Sequence, residues 1–265
     1  MMNTNEDSVV LRMDGGVAYI VLNRPAVLNA VDIEMADALL NACRAVAANP
    51  DVRAVVLKGA GKAFMAGGNL ARFHEAPAQA PETADHLIRL LNAAVEVLGG
   101  LRAPVIASLH GAVAGAGVSL ALACDLAIAA DNTRFNLAYA RIGATPDVSA
   151  SWHLPRVVGL RKAMEIALLA ENVDAAEAQR LGLVNRVVVA DSLDTETAAL
   201  AARLAAGPTR AYGATKRLLR ESSGRSLREQ LELERAAFCS AAASSDFAEG
   251  VDAFYGKRAA TFTGQ

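Results

Sequence analysis

Apolar residues gather in short dense runs through the first half of the chain and in helical stripes through the second. VAYIVLN (17–23) and RAVVLKG (53–59) have the length and β-branched content of strands. PVIASLHG (104–111) and LAIAAD (126–131) read as two more strands, buried on both faces. Between the first pair, Met35, Leu39, Ala42 or Cys43, and Val46 recur at helical spacing over 33–47, and Asn49-Pro50-Asp51 ends that helix. GVSLALAC (117–124) separates the second pair as a helix. Alternation of this kind predicts an α/β layered fold with mostly parallel connections.

Beyond Asp147 the pattern changes. MEIALLA, AAEAQRLGLV, DTETAALAARLAA and SLREQLELERAAF are helical, and only GLVNRVV (182–188) resembles a strand. The plan is a core over 1–194 followed by a helical region over 195–265, whose apolar stripes must be covered by the core or by another subunit. TKRLLR (215–220) reads as a solvated basic helix face. The polar stretch 72–86, with His74, Glu75, Glu82, Asp85 and His86, reads as a mobile loop.

Composition narrows the function. With 265 residues and 53% of them hydrophobic, the chain can bury a sizeable core. Lys plus Arg is 26 against 28 for Asp plus Glu, and aromatics are only 5%, so neither a basic footprint nor stacking platforms for nucleic acid are present. Cys43, Cys124 and Cys239 are too far apart to form a metal knuckle, and a reduced, cytoplasmic compartment is the simplest expectation. The N-terminal MMNTNEDSVV is polar where an export signal is greasy. Residues 103–124 carry no charge and are long enough for a bilayer, but Pro104, Ser108, His110, Ser119 and three glycines divide them into strand, loop and helix. No membrane span and no metal site is expected.

Two glycine turns precede helices: Gly67-Gly68 in GKAFMAGGNLARF (61–73) and Gly115-Ala116-Gly117 in HGAVAGAGVSLALACD (110–125). Either alone reads most simply as close packing. Together they can aim two backbone N–H groups at one developing oxyanion. Neither is a nucleotide loop, because GAGKAF lacks the spacing and hydroxyl of a phosphate-binding loop and GAGVSL lacks a third glycine.

NRPAVLNAVDIEMADAL (23–39), GAGKAFMAGGNL (59–70), HGAVAGAGVSLALACDLAIA (110–129) and LPRVVGLRKAMEIALLAENVDAAEAQRLGLVNRVV (154–188) resemble the enoyl-CoA hydratase/isomerase (crotonase) superfamily. The resemblance runs from about residue 10 to FAEGVDAFYGKRAATFTG (247–264). It implies a spiral of ββα units holding an acyl-CoA site, with the helical C-terminal region making a homotrimer or a dimer of trimers. Coenzyme A is then part of the substrate, and no separate cofactor is required. The oxyanion N–H groups carry over to Gly68 and Ala116. The residues around CoA carry over to Ala26, Leu28, Ala66, Gly68, Asn69, Leu70 and Lys257, with Asn69 where many members have Asp.

The two glutamates of the superfamily's hydratases correspond here to Ser119 and Tyr139, and neither is a carboxylate base at neutral pH. Asp147, in IGATPDVSASWHLPRVVG (142–159), resembles instead the single catalytic Asp of the phenylacetate-pathway isomerase and enoyl-CoA isomerase branch. Ser119, Tyr139 and Trp152 are expected in the substrate pocket, with Trp152, Val148 and Ala150 as apolar walls around the acid. The competing reading makes Asp147, or Thr145 ahead of Pro146, the N-cap of a helix over Val148–Leu154. The implied function is an acyl-CoA isomerase that moves a double bond, or rearranges a ring, through a thioester enolate with Asp147 as proton shuttle. The alternatives are a hydratase with non-standard acid and base residues, or a non-catalytic member that binds acyl-CoA or RNA. A dehalogenase-like reaction needs a histidine base where this chain has Glu96, and His110 and His153 read as packing or hydrogen-bonding residues.

Overall fold

A computed structural model describes residues 7–265, so residues 1–6, which open the stretch inspected above for an export signal, lie outside the described residues. The described chain begins with a hairpin of β1 (Val9–Asp14) and β2 (Val17–Leu22). Its turn residues Gly15 and Gly16 both have positive φ, the conformation a tight two-residue hairpin requires. Then follow α1 (Ile33–Ala48), β3 (Ala54–Gly59), α2 (Ala71–Glu75), α3 (Ala80–Gly100), β4 (Val105–Leu109), β5 (Ala112–Ala114) and α4 (Ala116–Ala123). β6 (Leu126–Ala130) and β7 (Arg134–Asn136) lead to α5 (Ala150–Val158) and α6 (Leu160–Leu169). After β8 (Val173–Asp174), α7 (Ala175–Leu181) and β9 (Arg186–Val188), the chain is helical: α8 (Leu193–Ala205), α9 (Thr209–Glu221), α10 (Leu227–Ala242) and α11 (Ser245–Tyr255).

Strand pairing gives the expected spiral. The large sheet runs β1-β2-β3-β4-β6-β9, and every pair after the first hairpin is parallel. The small sheet runs β5-β7-β8, and it is extended by the single parallel bridges Val31–Gly68 and Met65–Val113. Each winding therefore lays one strand on the large sheet, crosses to the small one, and returns through helix. The windings β2–Val31–α1, β3–Met65–α3, β4–β5–α4 and β6–β7–α5 repeat this path. The glycine turns sit at the small-sheet corners of the second and third windings.

Period-two alternation decides which layer each strand residue joins. Val55 and Leu57 of β3, with Val105 and Ala107 of β4, face the main core against Leu39 and Cys43 of α1 and Leu91 and Leu98 of α3. Ala54, Val56 and Ile106 point the other way and meet Ala201 and Ala205 of α8. Ser108 on this outer face satisfies its buried hydroxyl against Thr197 of α8 at 3.0 Å. α8 thus covers the sheet face opposite α1 and α3. Strands buried on both sides need the near-continuous apolar runs read in the sequence.

Two expectations are corrected. The stretch 72–86 is mostly helix, shared by α2 and the start of α3, rather than a mobile loop. Pro81 sits in the first turn of α3, where its missing N–H removes no intrahelical bond. Leu87, Leu91, Ala94 and Leu98 then recur along one buried face, while Glu75, Glu82, Asp85 and His86 remain exposed. Nor is 215–220 merely a solvated face. Lys216 and Arg220 of α9 both reach Asp125, at 2.6 and 2.9 Å, and Lys216 also donates to the Leu101 and Ala103 carbonyls at 3.0 Å. Asp125 in turn accepts from the Val105 N–H at 2.8 Å, so one carboxylate ties α9 to the start of β4. No described helix is long and apolar enough to cross a membrane, and 103–124 is divided among β4, β5 and α4.

Asp125→Ala leaves two cations facing each other without their shared anion in a largely buried setting. It is expected to cost about 3–5 kcal/mol in chemical denaturation, the range for breaking a buried pair on one side.

Candidate active site

The two glycine turns meet backbone to backbone. A Cβ placed on Gly115 would lie 3.5 Å from Gly67 Cα, and one placed on Gly67 would lie 3.3 Å from the Ala114 carbonyl oxygen. Gly67 has φ +98° and Gly115 φ +50°, a region that residues with a Cβ rarely adopt. Gly117 brings the first turn of α4 against the second winding, where an added Cβ would lie 2.7 Å from the Met65 carbonyl oxygen. Gly117 is therefore required by packing, and Gly67 and Gly115 by their backbone conformation.

Gly68 is different. It has no positive φ, and a Cβ there would meet nothing within 4 Å. The Val31 N–H donates to Gly67 O at 2.8 Å and the Asn69 N–H to Val31 O at 2.7 Å, so the bridge straddles Gly68 and turns its own N–H away. Among the described residues that N–H has no acceptor. The Ala116 N–H, at the first position of α4, likewise has none within its helix. Two donors without acceptors thus lie next to the Gly67–Gly115 contact, groups of the kind that can stabilise an oxyanion.

Next to Gly68 lies the loop before α1. Leu28 and Asn29 have φ of 52° and 56°. The fully buried Asn29 side chain donates to the Ala60, Ala63 and Phe64 carbonyls at 2.9, 2.8 and 3.1 Å, and its oxygen accepts from the Arg24 N–H at 2.8 Å. The Ala66 N–H donates to Leu28 O at 3.0 Å. Ala26 and Leu28 are exposed beside Ala66, Asn69 and Leu70 on one rim, with Leu70 also exposed. Asn69 is partly committed, its side chain accepting from the Ala71 N–H at 3.2 Å. Asn29 was not singled out in the sequence; its tolerance of left-handed φ is the signal that marks it. Lys257 is exposed past the end of α11, and no hydrogen bond among the described residues joins it to this rim.

Asp147 is half-buried, and its contacts are not those of a helix cap. α5 begins only at Ala150, and the side chain of neither Thr145 nor Asp147 caps it. The Tyr139 hydroxyl donates to Asp147 Oδ1, and the Ser119 Oγ donates to the Asp147 main-chain oxygen at 3.0 Å. Ser119 and Tyr139 are both buried, and the Tyr139 ring lies 3.9 Å from where a Gly115 Cβ would be. The acid is thereby fastened to the same helix whose first N–H is that of Ala116. Burial raises the Asp147 pKa above the ordinary carboxylate value, and the Tyr139 hydroxyl works against that rise. The Tyr139 pKa is raised, first by burial and then by the charge of Asp147. Val148 and Ser149 follow with φ of 49° and 70°, a strained pair that no sequence pattern announced.

Val148 and Ala150 are buried beside the acid as expected, but Trp152 is 53% exposed with the Arg156 guanidinium 3.3 Å above its ring. It therefore does not form a buried wall in the single chain. His110 bonds the Gly61 carbonyl oxygen at 3.0 Å and His153 bonds Ser149 Oγ at 3.0 Å, both in hydrogen-bonding roles. Glu96 is exposed on α3, and Asp85 is paired with Arg89 at 2.8 Å.

A family model described as enoyl-CoA hydratase/isomerase matches residues 12–265. The chain is 36% identical to the 1,2-epoxyphenylacetyl-CoA isomerase of Escherichia coli K12, over 97% of this chain and 98% of that one. It is 33% identical to the trans-2-decenoyl-(acyl-carrier-protein) isomerase of Streptococcus mutans, over 97% and 98%. A crystal structure of an enoyl-CoA hydratase from Polaromonas sp. JS666 superposes with a TM-score of 0.91 at 36% identity, covering 96% of this chain and 99% of that one.

The two neighbouring glycines make opposite predictions. Gly67→Ala forces a Cβ into a left-handed position against a carbonyl and is expected to cost about 1–3 kcal/mol. Gly68→Ala meets open space and is expected to change stability by less than about 0.5 kcal/mol. Urea denaturation of the two variants checks both.

Proposed function

The chain belongs to the enoyl-CoA hydratase/isomerase family, and on that premise we propose that it is an isomerase that moves a double bond, or rearranges a ring, in an unsaturated acyl-CoA. The observation that carries this reading is the choice of groups around the acid. Hydroxyls of Ser119 and Tyr139 stand at the positions where the sequence resemblance expects a hydratase's paired glutamates, and both bond to one residue, Asp147: Tyr139 to its carboxylate and Ser119 to its main-chain oxygen. Adding water across a double bond calls for one group to activate the water and another to deliver a proton. Moving the bond needs one base that removes a proton from one carbon and returns it to another.

In this reading the thioester carbonyl lies between the Gly68 and Ala116 N–H groups. Negative charge develops on its oxygen as the proton leaves, and donors already in place stabilise it without reorganising; each such donor is typically worth about two to three decades of rate. Asp147 holds the proton in between. Its raised pKa makes it a stronger base than an exposed carboxylate. Coenzyme A arrives as part of the substrate, along the rim of Ala26, Leu28, Ala66, Asn69 and Leu70, and no further cofactor takes part. Tyr139 bounds the acyl side.

The exposed apolar faces support a homotrimer or dimer of trimers. Leu160, Met164, Leu168 and Leu169 of α6 are exposed together, as are Leu227, Leu231 and Phe238 of α10 and Phe254 and Tyr255 of α11. Exposed apolar faces of this kind mark surfaces of association. Sedimentation equilibrium is expected to give three or six copies at micromolar concentration; a monomer would refute the assembly.

Asp147→Asn is expected to lower isomerase turnover at least about a hundredfold with little loss of acyl-CoA binding. Incubation of the wild type with a panel of unsaturated acyl-CoAs in deuterium oxide is expected to add deuterium without adding water. Hydration of the panel, or full turnover by Asp147→Asn, would overturn the proposal. The same variant has a stability signature. A folded-state pKa above the unfolded value means that ionising Asp147 costs native stability, a penalty absent below the unfolded pKa and complete above the folded one. Asp147→Asn therefore melts higher than wild type at pH 7, and the gain shrinks as pH falls through the folded-state pKa of Asp147.

A further inference from the structure

The contacts of Asp147 divide between its main chain and its side chain, and they come from two elements. Ser119, one turn into α4, fastens the main-chain oxygen at 3.0 Å. Tyr139, at the start of the short 3-10 turn Tyr139–Ile142, fastens Oδ1. Each hydroxyl has one proton, and each spends it on Asp147, so the 3.4 Å approach of Ser119 Oγ to Tyr139 Oη carries no proton between them. No other residue among those described donates to Oδ2; the carboxylate's remaining partner is the main-chain N–H of Asp147 itself. A carboxylate held at its backbone and at one oxygen has lost the freedom to rotate, and only the other oxygen is left to react.

We propose that Ser119 and Tyr139 act together as positioning residues that seat Asp147 so that Oδ2 is its proton-accepting atom; this rests on the reading of Asp147 as the base. The two positions where the resemblance expects a hydratase's acids have here become the seat of a different acid. The backbone geometry agrees with such a seat. Val148 is β-branched and Ser149 carries a Cβ, yet both are left-handed immediately after Asp147. Strain of about 1–3 kcal/mol per residue persists only where surrounding contacts hold it. Val148 is fully buried, and Asp147 O accepts from the Ala150 N–H at 3.0 Å as well as from Ser119. Straightening these residues would release the main-chain oxygen from Ser119.

Tyr139 also sets how readily Oδ2 gives its proton back. Its hydroxyl bonds the ionised carboxylate more strongly than the neutral acid, because charge-assisted bonds are the stronger kind. The hydrogen bond therefore favours the ionised form and opposes the effect of burial. No other titratable group is poised to do this. His153 on α5 is bonded to Ser149, Arg156 lies over Trp152, and Arg141 on the Tyr139 turn donates to the Ala170 carbonyl oxygen at 2.6 Å.

The test is Tyr139→Phe, with Ser119→Ala and Ser119→Thr beside it, in the full-length protein. Turnover of a short β,γ-unsaturated acyl-CoA is followed against pH. The Asp147 carboxyl is titrated separately by infrared difference spectroscopy, its band assigned by its disappearance in Asp147→Asn. Tyr139→Phe is expected to lower kcat about 10- to 100-fold with KM little changed. Both the acid limb and the infrared titration should move to higher pH, by on the order of one unit. Ser119→Ala should lower kcat with a smaller pH shift, and Ser119→Thr, which keeps the hydroxyl, should restore it. An unmoved infrared titration in Tyr139→Phe overturns the seat. Full turnover by Asp147→Asn overturns the base instead, and the infrared titration still decides the seat in that case.

Discussion

Neighbouring windings of the spiral touch main chain to main chain where Gly67 meets Gly115, and every feature of the site is referred to that contact. Both residues hold a left-handed conformation that a side chain would strain, and a Cβ on Gly67 would also press on the Ala114 carbonyl oxygen. The Gly68 and Ala116 N–H groups, one residue further along each corner, depend on these turns for their place. The contact is held from both sides. Asn29 grips the Ala60, Ala63 and Phe64 carbonyls beneath the second corner, and Gly117 lets α4 press on Met65 beneath the third. Flexible side chains tune the chemistry, but the donors belong to the rigid part of the fold. Donors fixed this way need little reorganisation to meet a charge.

The acid is held by softer means. Asp147 lies in the segment between the last winding and α5, after a left-handed Gly143 and before the strained Val148 and Ser149. Its place is fixed by two hydroxyls rather than by a helix or strand of its own. The two main-chain N–H groups and the carboxylate thus have different structural origins: the first are set by sheet topology, the second by side chains of α4 and a short turn. A family built on this plan can keep the first and change the second.

Much of the architecture was legible because the core strands are buried on both faces. Their apolar runs carry no helical period, and the helix over 33–47 carries little else. The glycine turns were legible as turns, and their convergence followed from the resemblance rather than from either turn alone. What escaped were arrangements that depend on distant partners. α2 and the start of α3 look like loop because the polar residues of 72–86 dominate before the apolar face of α3 emerges. Lys216 and Arg220 look solvated until Asp125, some ninety residues earlier, is brought beside them. The left-handed pair after Asp147 is written in neither Val nor Ser, both of which avoid that conformation. Tyr139 and Ser119 were placed at the pocket, but their grip on the acid could be seen only with both hydroxyls in space.

The parallel winding has a consequence for how the chain reaches its shape. From β2 to β6, each new strand of the large sheet joins the free edge left by the strand before it, so the sheet grows in the order in which the ribosome delivers it. Assembly on the ribosome would meet few crossings to undo, since no later strand is inserted between earlier ones. The exception is the lock that closes over the finished sheet: α8 and α9 return to β3, β4 and Asp125 only after some two hundred residues have emerged. Until then the outer face, with Ala54, Val56 and Ile106, stays uncovered. That interval is when a nascent chain of this design has most need of a chaperone.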